Sequence, residues 1–590
     1  MATLRNFPQH EIRPTESLTG RWDFVTADDR NDKTKLPKRY TRGIHVPSAW
    51  EQLPGLENYR GKGWLRTSVP AVEGWAVRLV FGGVSHTADV FIDGKHVGHH
   101  YDAFTPFDVV VPRLSEGDHE LIVQVDNSFG EHSALHLDND YYTYGGITRP
   151  AEMQLVPTVY IDRMFALPVR RGGKWDLDVR VRLANWSKNA ETRGVAVAVA
   201  DGFVELGEVS VPGGGMKEVS GKLKDLDVES WSPDNPELYA VEALLSDGEE
   251  LTDDLLDRVG FREVKVRGKK LLLNGEPIHL RGYNRHEDHP QFGCAIPLEA
   301  MVTDLEILRD LGCNFVRTCH YPNDQRFLDL CDELGFCVWE ESHARQVKFE
   351  HPKFREQIAQ STREMIDWHY NHASILMWGC LNECDSVSSS GRKEHKRVIE
   401  IIREMDDSRP VTFASNKATK DRCLDLVDIV SWNRYQGWYH GGPDSAGDDL
   451  KELIKWLNSD ASGGKNKPVI MSEFGAGAIP GYRRPNHAKW TEEYQAEVLD
   501  HQLADYLNHP QVVGVAIWQF CDCRVTTGHF NSRPRTMNNK GTVSEFRLPK
   551  LAYDVVKKRM HESIRNRRKQ QKTRRKSKRR GDRPATLSVQ

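Results

Sequence analysis

The sequence predicts a multidomain protein of β and α/β class: a jelly-roll β-sandwich, an immunoglobulin-like β-sandwich and a C-terminal (β/α)8 TIM barrel. Three observations lead to this prediction. The chain has 590 residues, far more than the roughly 250 to 300 at which a single core stops growing. Short segments of alternating apolar and polar residues fill the first half. Beyond Leu271 the pattern changes to apolar strands that alternate with amphipathic helices, which is typical of parallel βα units.

The two sandwich domains are predicted from alternation and turn residues. In the first domain, over 1–157, segments such as VRLVFGG (77–83) and ADVFIDGKHVG (88–98) alternate between apolar and polar residues. The Asp93-Gly94 pair between apolar alternations is a strong signal for a two-residue hairpin. A second alternating block, over 158–264, has the length of one immunoglobulin-like sandwich.

The third domain, over 265–562, contains eight strand candidates with helical stretches between them. Eight alternating strand and helix units are the number that closes a TIM barrel. The strand candidates are HLRGYN (279–284), NFVRTCH (314–320), FCVWEES (336–342), ILMWGCLNE (375–383), VTFAS (411–415), DIVSWNRY (428–435), PVIMSEFG (468–475) and VAIWQFCD (515–522).

The remaining segment, over 563–590, is strongly basic. Between Arg565 and Arg580 it holds eleven basic residues and no acidic one. Such a run is typical of a solvated, disordered tail. It is also able to bind polyanions, because binding releases their counterions. We predict a disordered tail and no specific nucleic acid partner.

Composition excludes several classes of protein. Charged residues make up 28% and hydrophobic residues 38% of the chain, and no apolar run approaches the roughly 18 residues of a membrane span. The N-terminus has no pattern of a secretory signal. All ten cysteines lie between Cys294 and Cys523, unlike a secreted disulfide framework, and their spacings fit no common zinc pattern. We expect a cytoplasmic protein that uses neither a metal nor a cofactor.

Two glutamates stand at the ends of predicted barrel strands. Glu383 follows Asn382 at the end of the fourth candidate, and Glu473 closes the seventh. Since the C-terminal ends of TIM-barrel strands form the active site, both carboxylates should face the barrel mouth. Two carboxylates across one sugar are what glycoside hydrolysis requires. The alternative is that each glutamate only pairs with a barrel arginine such as Arg317.

Several motifs resemble those of glycoside hydrolase family 2. WGCLNE (378–383) and SEFG (472–475) resemble its acid/base and nucleophile motifs, and the order of the three domains is that of the family. The resemblance covers roughly residues 15 to 560. It implies that Glu383 is the general acid/base, that Asn382 contacts the sugar 2-hydroxyl, and that Glu473 is the nucleophile of a retaining double displacement.

Within the family, the uronate-hydrolysing members are the most similar. Asn538 and Lys540 resemble the Asn-x-Lys motif with which β-glucuronidases bind the substrate carboxylate. A fixed ammonium and an amide donor suit a C6 carboxylate, whereas a neutral hexose offers only a hydroxymethyl group there. The additional arginine of the family pattern has no residue at the same offset, and Arg535 is the nearest substitute. The resemblance therefore implies an exo-β-glucuronidase that acts on small or oligosaccharide glucuronides.

Further similar segments imply other substrate-binding residues. By this resemblance Asp140, from the first domain, and His286 contact sugar hydroxyls. The segment NRYQGWYHGG (433–442) adds three residues to the site, and Trp518 follows from AIWQFCD (516–522). The residues of the first segment are Asn433, Tyr435 and Tyr439. The alternative for the aromatic residues is that they belong to the core, although an inward tryptophan is able to pack and contact a sugar at once.

Other functions remain open at this point. A β-galacturonidase or β-galactosidase on the same scaffold differs in the orientation of the C4 hydroxyl, which residue types alone do not fix. A non-catalytic carbohydrate-binding protein with a disabled barrel is a second alternative, although both glutamates are present. Family members often form dimers or tetramers, so we expect a homo-oligomer.

Overall fold

A closed barrel of eight parallel strands forms the C-terminal part of the chain. The computed structural model describes residues 3–30, 32 and 35–581. The prediction of a TIM barrel is confirmed, and the strands are nearly continuous apolar runs because helices and the barrel interior cover both faces. In chain order, the barrel strands are Leu280–Arg285, Phe315–Thr318, Cys337–Glu341, Ile375–Cys380, Val411–Ser415, Val430–Asn433, Val469–Glu473 and Val512–Ile517.

Helices connect the barrel strands, with one exception. The connection from the fifth to the sixth strand, which is fully described, has only a short 3-10 turn at Ala418–Lys420 instead of the expected helix. Some of the helices begin at a capping side chain, as at Asp324, whose side chain accepts from the Arg326 backbone N–H. The described α-helices are α1 (Leu298–Asp310), α2 (Gln325–Leu334), α3 (Phe354–His369), α4 (Ser389–Met405), α5 (Ala446–Leu457), α6 (Glu492–Asn508) and α7 (Ala552–Gly581).

Helix α7 continues into the segment for which a disordered tail is predicted. Its first turns bury Val556 and Met560 in the barrel core. Its backbone is helical through Gly581, and arginine and lysine, which dominate this part, are good helix formers. The helix therefore includes residues 563–581 of the predicted tail, while residues 582–590 lie outside the described residues. No helix in the described part of the chain is both long and apolar enough to cross a membrane.

The first domain is a sandwich of two antiparallel sheets. Asp93 and Gly94 connect two strands of the larger sheet with φ angles of 48° and 77°, the left-handed conformations that a type I′ hairpin requires. The larger sheet contains, in spatial order, Arg42–Val46, Gly20–Thr26, Lys62–Ala71, Gly117–Asp126, Thr87–Ile92 and Lys95–Tyr101. The smaller sheet contains Thr15–Ser17, Ala151–Val156, Ala76–Phe81 and Phe107–Val111. A short pair, Val84–Ser85 and Gly146–Ile147, lies beside them.

The second domain is also a two-sheet sandwich, with three strands facing four. The side chains that alternate inward form a separate core that includes Trp175, Val197 and Val241. The three-stranded sheet contains Val159–Arg171, Lys174–Asn185 and Met216–Leu226. The four-stranded sheet contains Gly202–Val211, Glu191–Val199, Tyr239–Asp247 and Glu250–Val259. Three short strands, Val264–Arg267, Lys270–Leu273 and Glu276–Pro277, then lead into the barrel.

A buried ion pair ties the first domain to the barrel. Arg149 of the first domain is 3% exposed and donates to the Glu287 carboxylate over 2.8 Å. Its other donors reach the carbonyl oxygens of Phe104 and Pro322 at 2.6 Å each. The pair lies near the barrel mouth, so it fixes the first domain against the end of the barrel where the strands finish.

We expect Arg149→Met to destabilise the protein by about 3 to 5 kcal/mol, because Glu287 then stays buried without its charged partner and keeps only the hydrogen bond from the Asp324 backbone N–H. Urea unfolding followed by tryptophan fluorescence measures the loss. The control is Arg66→Met, which breaks a partly exposed pair with Asp23 and should cost about 0 to 1 kcal/mol. Equal effects of the two substitutions would contradict the role of Arg149.

Candidate active site

A cavity of about 320 Å³ opens at the C-terminal ends of the barrel strands. Both predicted carboxylates, Glu383 and Glu473, line it. Six other residues of the predicted site also line the cavity: Asp140, Asn433, Tyr435, Tyr439, Trp518 and Lys540. The strand ends and the loops that follow them therefore bring together residues separated by up to 400 positions in the sequence.

Glu473 is buried and held by two donors. It ends the seventh strand and is 4% exposed. Arg317 donates to its Oε1 over 2.8 Å, and the Tyr435 hydroxyl donates to its Oε2 over 2.7 Å. Burial raises the pKa of Glu473 to about 7, although Arg317 opposes the shift, and Glu383 raises it further. Arg317 thus pairs with this carboxylate, as in the alternative in which each glutamate only pairs with a barrel arginine. The carboxylate nevertheless faces the cavity.

Glu383 lies three residues beyond its strand rather than at its end. The fourth strand stops at Cys380, and Leu381 and Glu383 then adopt φ angles of 49° and 54°. These left-handed conformations are rare for residues other than glycine and turn the chain into the mouth. The half-buried carboxylate accepts hydrogen bonds from Gln346, at 2.8 Å, and Asn433, at 3.0 Å.

Two asparagines orient one another beside Glu383. The Asn382 Oδ1 accepts from Arg317 at 2.9 Å and from Asn433 at 3.2 Å. The Asn433 Oδ1 accepts from the Ser472 hydroxyl at 2.8 Å. The Nδ2 of Asn382 is buried and has no hydrogen-bond partner among the described residues. A fixed, unused amide donor beside Glu383 suits a substrate hydroxyl.

Lys540 contributes a positive charge to the cavity wall. It is 3% exposed, and its Nζ donates to the Tyr439 hydroxyl over 3.1 Å. It forms no ion pair with a carboxylate in the described part of the chain. Asn538 is fully buried behind it, and its Nδ2 donates to Asp140. Asn538 therefore supports the wall without lining the cavity.

Asp140 extends from the first domain into the mouth, where two arginines hold it. Arg345 and Arg533 contact its carboxylate at 3.0 and 2.9 Å. Although burial raises the pKa of Asp140, the two arginines and Lys540 outweigh burial and hold it below its usual range. The predicted arginine, Arg535, is not in the cavity wall, because Glu545 and Asn539 bind its guanidinium on another side. Arg533 is the arginine of this loop that lines the cavity.

Aromatic side chains pack together and line the cavity at the same time. Trp518 is 2% exposed and stacks on the His320 ring with centroids 5.0 Å apart. His286 packs edge-on against Trp518 at 5.3 Å, and burial lowers its pKa to about 3, so it is neutral at pH 7. His286 thus lies behind Trp518 rather than in the cavity wall. Tyr435 and Tyr439 pack at 5.3 Å and both reach the cavity.

The family of the chain follows from comparison with known families. The models of three glycosyl hydrolases family 2 domains match in order: the sugar binding domain over 15–157, the central domain over 159–262 and the TIM barrel domain over 264–564. The chain belongs to glycoside hydrolase family 2. Its three matched domains correspond to the three folded units described above.

Relatives of this family 2 glycoside hydrolase cover nearly the whole chain. It is 43% identical to a β-galacturonidase from Eisenbergiella tayi, solved bound to galacturonate, with a TM-score of 0.90 over 95% of this chain and 99% of that one. It is 28% identical to a β-glucuronidase from Streptococcus agalactiae over 93% of this chain and 96% of the relative. A β-glucuronidase from Ruminococcus gnavus, solved with D-glucuronic acid, is 25% identical with a TM-score of 0.80 over 95% and 100%.

Sequence reasoning missed six residues that line the cavity of this family 2 enzyme. Asn416 directly follows the fifth strand, so the strand-end rule that found Glu473 would also have found it. Arg345 and Gln346 lie in the loop after the third strand, which carries no periodic signal. The complete set is Arg345, Gln346, Asn416, Arg434, His440 and Arg533.

Three groups of buried side chains have potential metal-ligand atoms within 4.8 Å of one another in the described part of the chain. They are His286, Cys319 and His320; Asp102, His136 and His343; and Asp329, Asp332 and His372. In the last group, His372 Nδ1 contacts Asp332 at 2.6 Å and Arg5 binds Asp329 at 2.8 Å. The first group lies behind Trp518, where the Nε2 of His286 has no hydrogen-bond partner among the described residues. The expectation of an enzyme without a metal stays a prediction.

We expect kcat/KM to rise with pH as Glu473 loses its proton, because an attacking carboxylate must be ionised, with a midpoint at about the pKa of 7. Tyr435→Phe removes a hydrogen bond that favours the ionised form, so it should move the midpoint to higher pH. The pH profiles of the two enzymes measure the shift. Tyr553→Phe, which removes a hydrogen bond to Asp310 and does not line the cavity, is the control, and an unmoved midpoint in Tyr435→Phe would contradict the assignment.

Proposed function

We propose that the protein is a retaining exo-β-D-uronidase that releases a terminal uronic acid, with β-D-galacturonides as its preferred substrates. Lys540 carries this proposal. Its ammonium is buried in the wall of the cavity that contains Glu383 and Glu473, and no carboxylate of the described residues forms a direct ion pair with it. Such a charge suits the carboxylate of a uronic acid, whereas a neutral sugar offers it no charged partner.

The two glutamates divide the reaction between them. Glu473 attacks the anomeric carbon while Glu383 donates its proton to the leaving oxygen, so the glycosidic bond breaks and a glycosyl ester forms. Glu383, now a carboxylate, then takes a proton from water, which attacks the same carbon and releases Glu473. The second displacement restores the original configuration. The unpaired amide donor of Asn382 is available for the 2-hydroxyl, whose hydrogen bonds strengthen in the transition state.

Carboxylate recognition and C4 recognition belong to one region of the cavity. Asn538 donates to Asp140 over 3.2 Å, so the pair of Asn538 and Lys540 adjoins the cluster of Asp140, Arg345 and Arg533. In a pyranose, C4 neighbours the C5 that carries the carboxylate. A sugar whose carboxylate binds Lys540 therefore presents its C4 hydroxyl toward this charged cluster.

Sequence similarity to known enzymes favours galacturonides over glucuronides as the substrates. The chain is 43% identical to a β-galacturonidase, whereas the two β-glucuronidases described above are 28% and 25% identical to it. The two uronides differ only in the orientation of the C4 hydroxyl. A β-glucuronidase, which the sequence analysis favours, is the second candidate because of the resemblance of Asn538 and Lys540 to the motif of those enzymes.

A cytoplasmic location and a homo-oligomer, dimer or tetramer, belong to the same proposal. The ten cysteines are free, and nine of them are buried, which suits a reducing compartment. Light scattering of the purified protein measures the oligomeric state, and fractionation of the source cells measures the location.

Glu473→Gln should lower kcat by about 1,000-fold or more, because it removes the nucleophile, while the uronic acid product still binds. Proton NMR of the first product should detect the β-anomer before mutarotation. The control, Glu497→Gln, changes a half-buried acid of α6 that contacts His487 and does not line the cavity, and it should leave kcat unchanged. Release of the α-anomer first would indicate inversion, and binding without turnover by the unaltered protein would indicate a carbohydrate-binding protein.

Lys540→Met should lower kcat/KM for p-nitrophenyl β-D-galacturonide and β-D-glucuronide by about 100-fold, since a charged hydrogen bond is worth about 1.5 to 3 kcal/mol. The kcat/KM of the variant for the corresponding β-galactoside and β-glucoside should not fall. Lys489→Met is the matched control, because Lys489 lies over the Trp438 ring, as Lys540 does, but does not line the cavity. Equal or better turnover of a neutral glycoside by the unaltered enzyme would overturn uronate recognition, and a preference for the glucuronide would favour the second candidate.

A further inference from the structure

A second, larger cavity lies at the opposite end of the barrel. Its volume is about 1180 Å³. Residues that precede the first, second and third barrel strands, including His279, Asn314 and Phe336, line it. Because these are the N-terminal ends of the strands, the cavity is separate from the catalytic mouth. The end of the second domain and helix α7 form its other walls.

Cations outnumber acids in the polar lining of this cavity. Arg281 comes from the first barrel strand, Arg567 and Arg568 from α7, and Lys270 from the hairpin before the barrel. Among the described residues, none of these four forms an ion pair with a carboxylate. The lining also holds three acids: Arg258 binds Glu333 at 2.7 Å, whereas Asp234 and Glu276 form no ion pair among the described residues.

The two half-buried arginines are only partly satisfied by the protein. Arg281 donates to the carbonyl oxygens of Gly312 and His279 at 3.3 and 3.1 Å. Arg567 donates to the Leu507 carbonyl over 3.0 Å, but its Nε is buried without a partner. Burial lowers the pKa of Arg567 to about 10, and Arg281 lowers it further. Carbonyl oxygens do not neutralise these charges, so the arrangement costs stability until an anion binds.

The lining also offers apolar surface beside the cations. Leu273, Phe336 and Ile564 belong to it, together with Pro233 and Pro236. A cavity of this size is larger than a phosphate group needs and resembles the sites that accept organic ligands. Guanidinium groups bind phosphate oxygens in pairs, and several of them together suit a multiply charged group better than one carboxylate.

We propose that this cavity binds a phosphorylated organic molecule of nucleotide size, with its phosphates between Arg281, Arg567 and Arg568 and its organic part against the apolar wall. The site is independent of the glycosidase activity, since it lies at the other end of the barrel. A ligand there joins α7 to the first barrel strand and to the second domain, so its binding stabilises the folded protein.

Calorimetric titration of the full chain with ADP, inorganic pyrophosphate and adenosine tests the proposal at one fixed salt concentration. We expect saturable binding of one ADP per chain, weaker binding of pyrophosphate and no binding of adenosine. Arg567→Gln and Arg281→Gln should each weaken ADP binding at least about 10-fold. The melting temperature should rise with ADP in the unaltered protein and much less in these variants.

The matched control is Arg565→Gln, an exposed arginine of the same helix that does not line the cavity. It should leave ADP binding unchanged. Absence of saturable binding, or an equal loss in Arg565→Gln, would overturn the proposal, because the latter indicates only general attraction by a basic helix. Preferential binding of trigalacturonate over ADP would also overturn it in favour of an acidic oligosaccharide. If Arg281→Gln does not fold, Arg567→Gln still decides, because its side chain lies on the outer helix.

Discussion

Arg317 is fully buried in the barrel mouth and donates to the carboxylates of Glu341 and Glu473 at once. A guanidinium at this depth is stable only when its donors are used, and the oxygens of Asn284 and Asn382 accept from the others. Since its fork is planar and rigid, these contacts fix the ends of the first, second, third and seventh strands, and Asn382 after the fourth, relative to one another. The positions of the groups that we propose to react therefore depend on one charged side chain that does not itself line the cavity.

Arg317 shares its charge between the carboxylates of Glu341 and Glu473, and this sharing affects the pKa of Glu473. Glu341 takes two of its donors, at 2.7 and 2.9 Å, so Glu473 receives only part of the stabilisation that an exclusive partner would give. Burial then prevails, and the pKa of Glu473 rises to about 7. A carboxylate stabilised more strongly would be a weaker nucleophile. Glu341, which never faces the cavity, thus helps to set the reactivity of the residue that does.

The barrel and its two glutamates were predictable for a common reason. Strands covered on both faces are apolar runs in the sequence, so an acid directly after one, such as Glu473, contrasts with its neighbours. The loop after the eighth strand offers no such contrast. There Arg535 has a φ angle of 61°, which turns its side chain toward Glu545 and leaves the cavity to Arg533. Which of these two arginines lines the cavity depends on the tertiary contacts of an irregular loop. A periodic sequence pattern does not predict such contacts.

The first domain forms part of the wall of the candidate active site. Asp140 reaches the cavity from this domain, and its partners Arg345 and Arg533 both come from barrel loops. The neighbouring Asn139 accepts from Arg345 at 2.6 Å and donates through its backbone to Thr526 at 3.1 Å. Without the domain, two arginines in the mouth would lose their carboxylate and the cavity would lose a wall. The first domain is therefore required to complete the proposed catalytic pocket, because the barrel alone does not supply this wall.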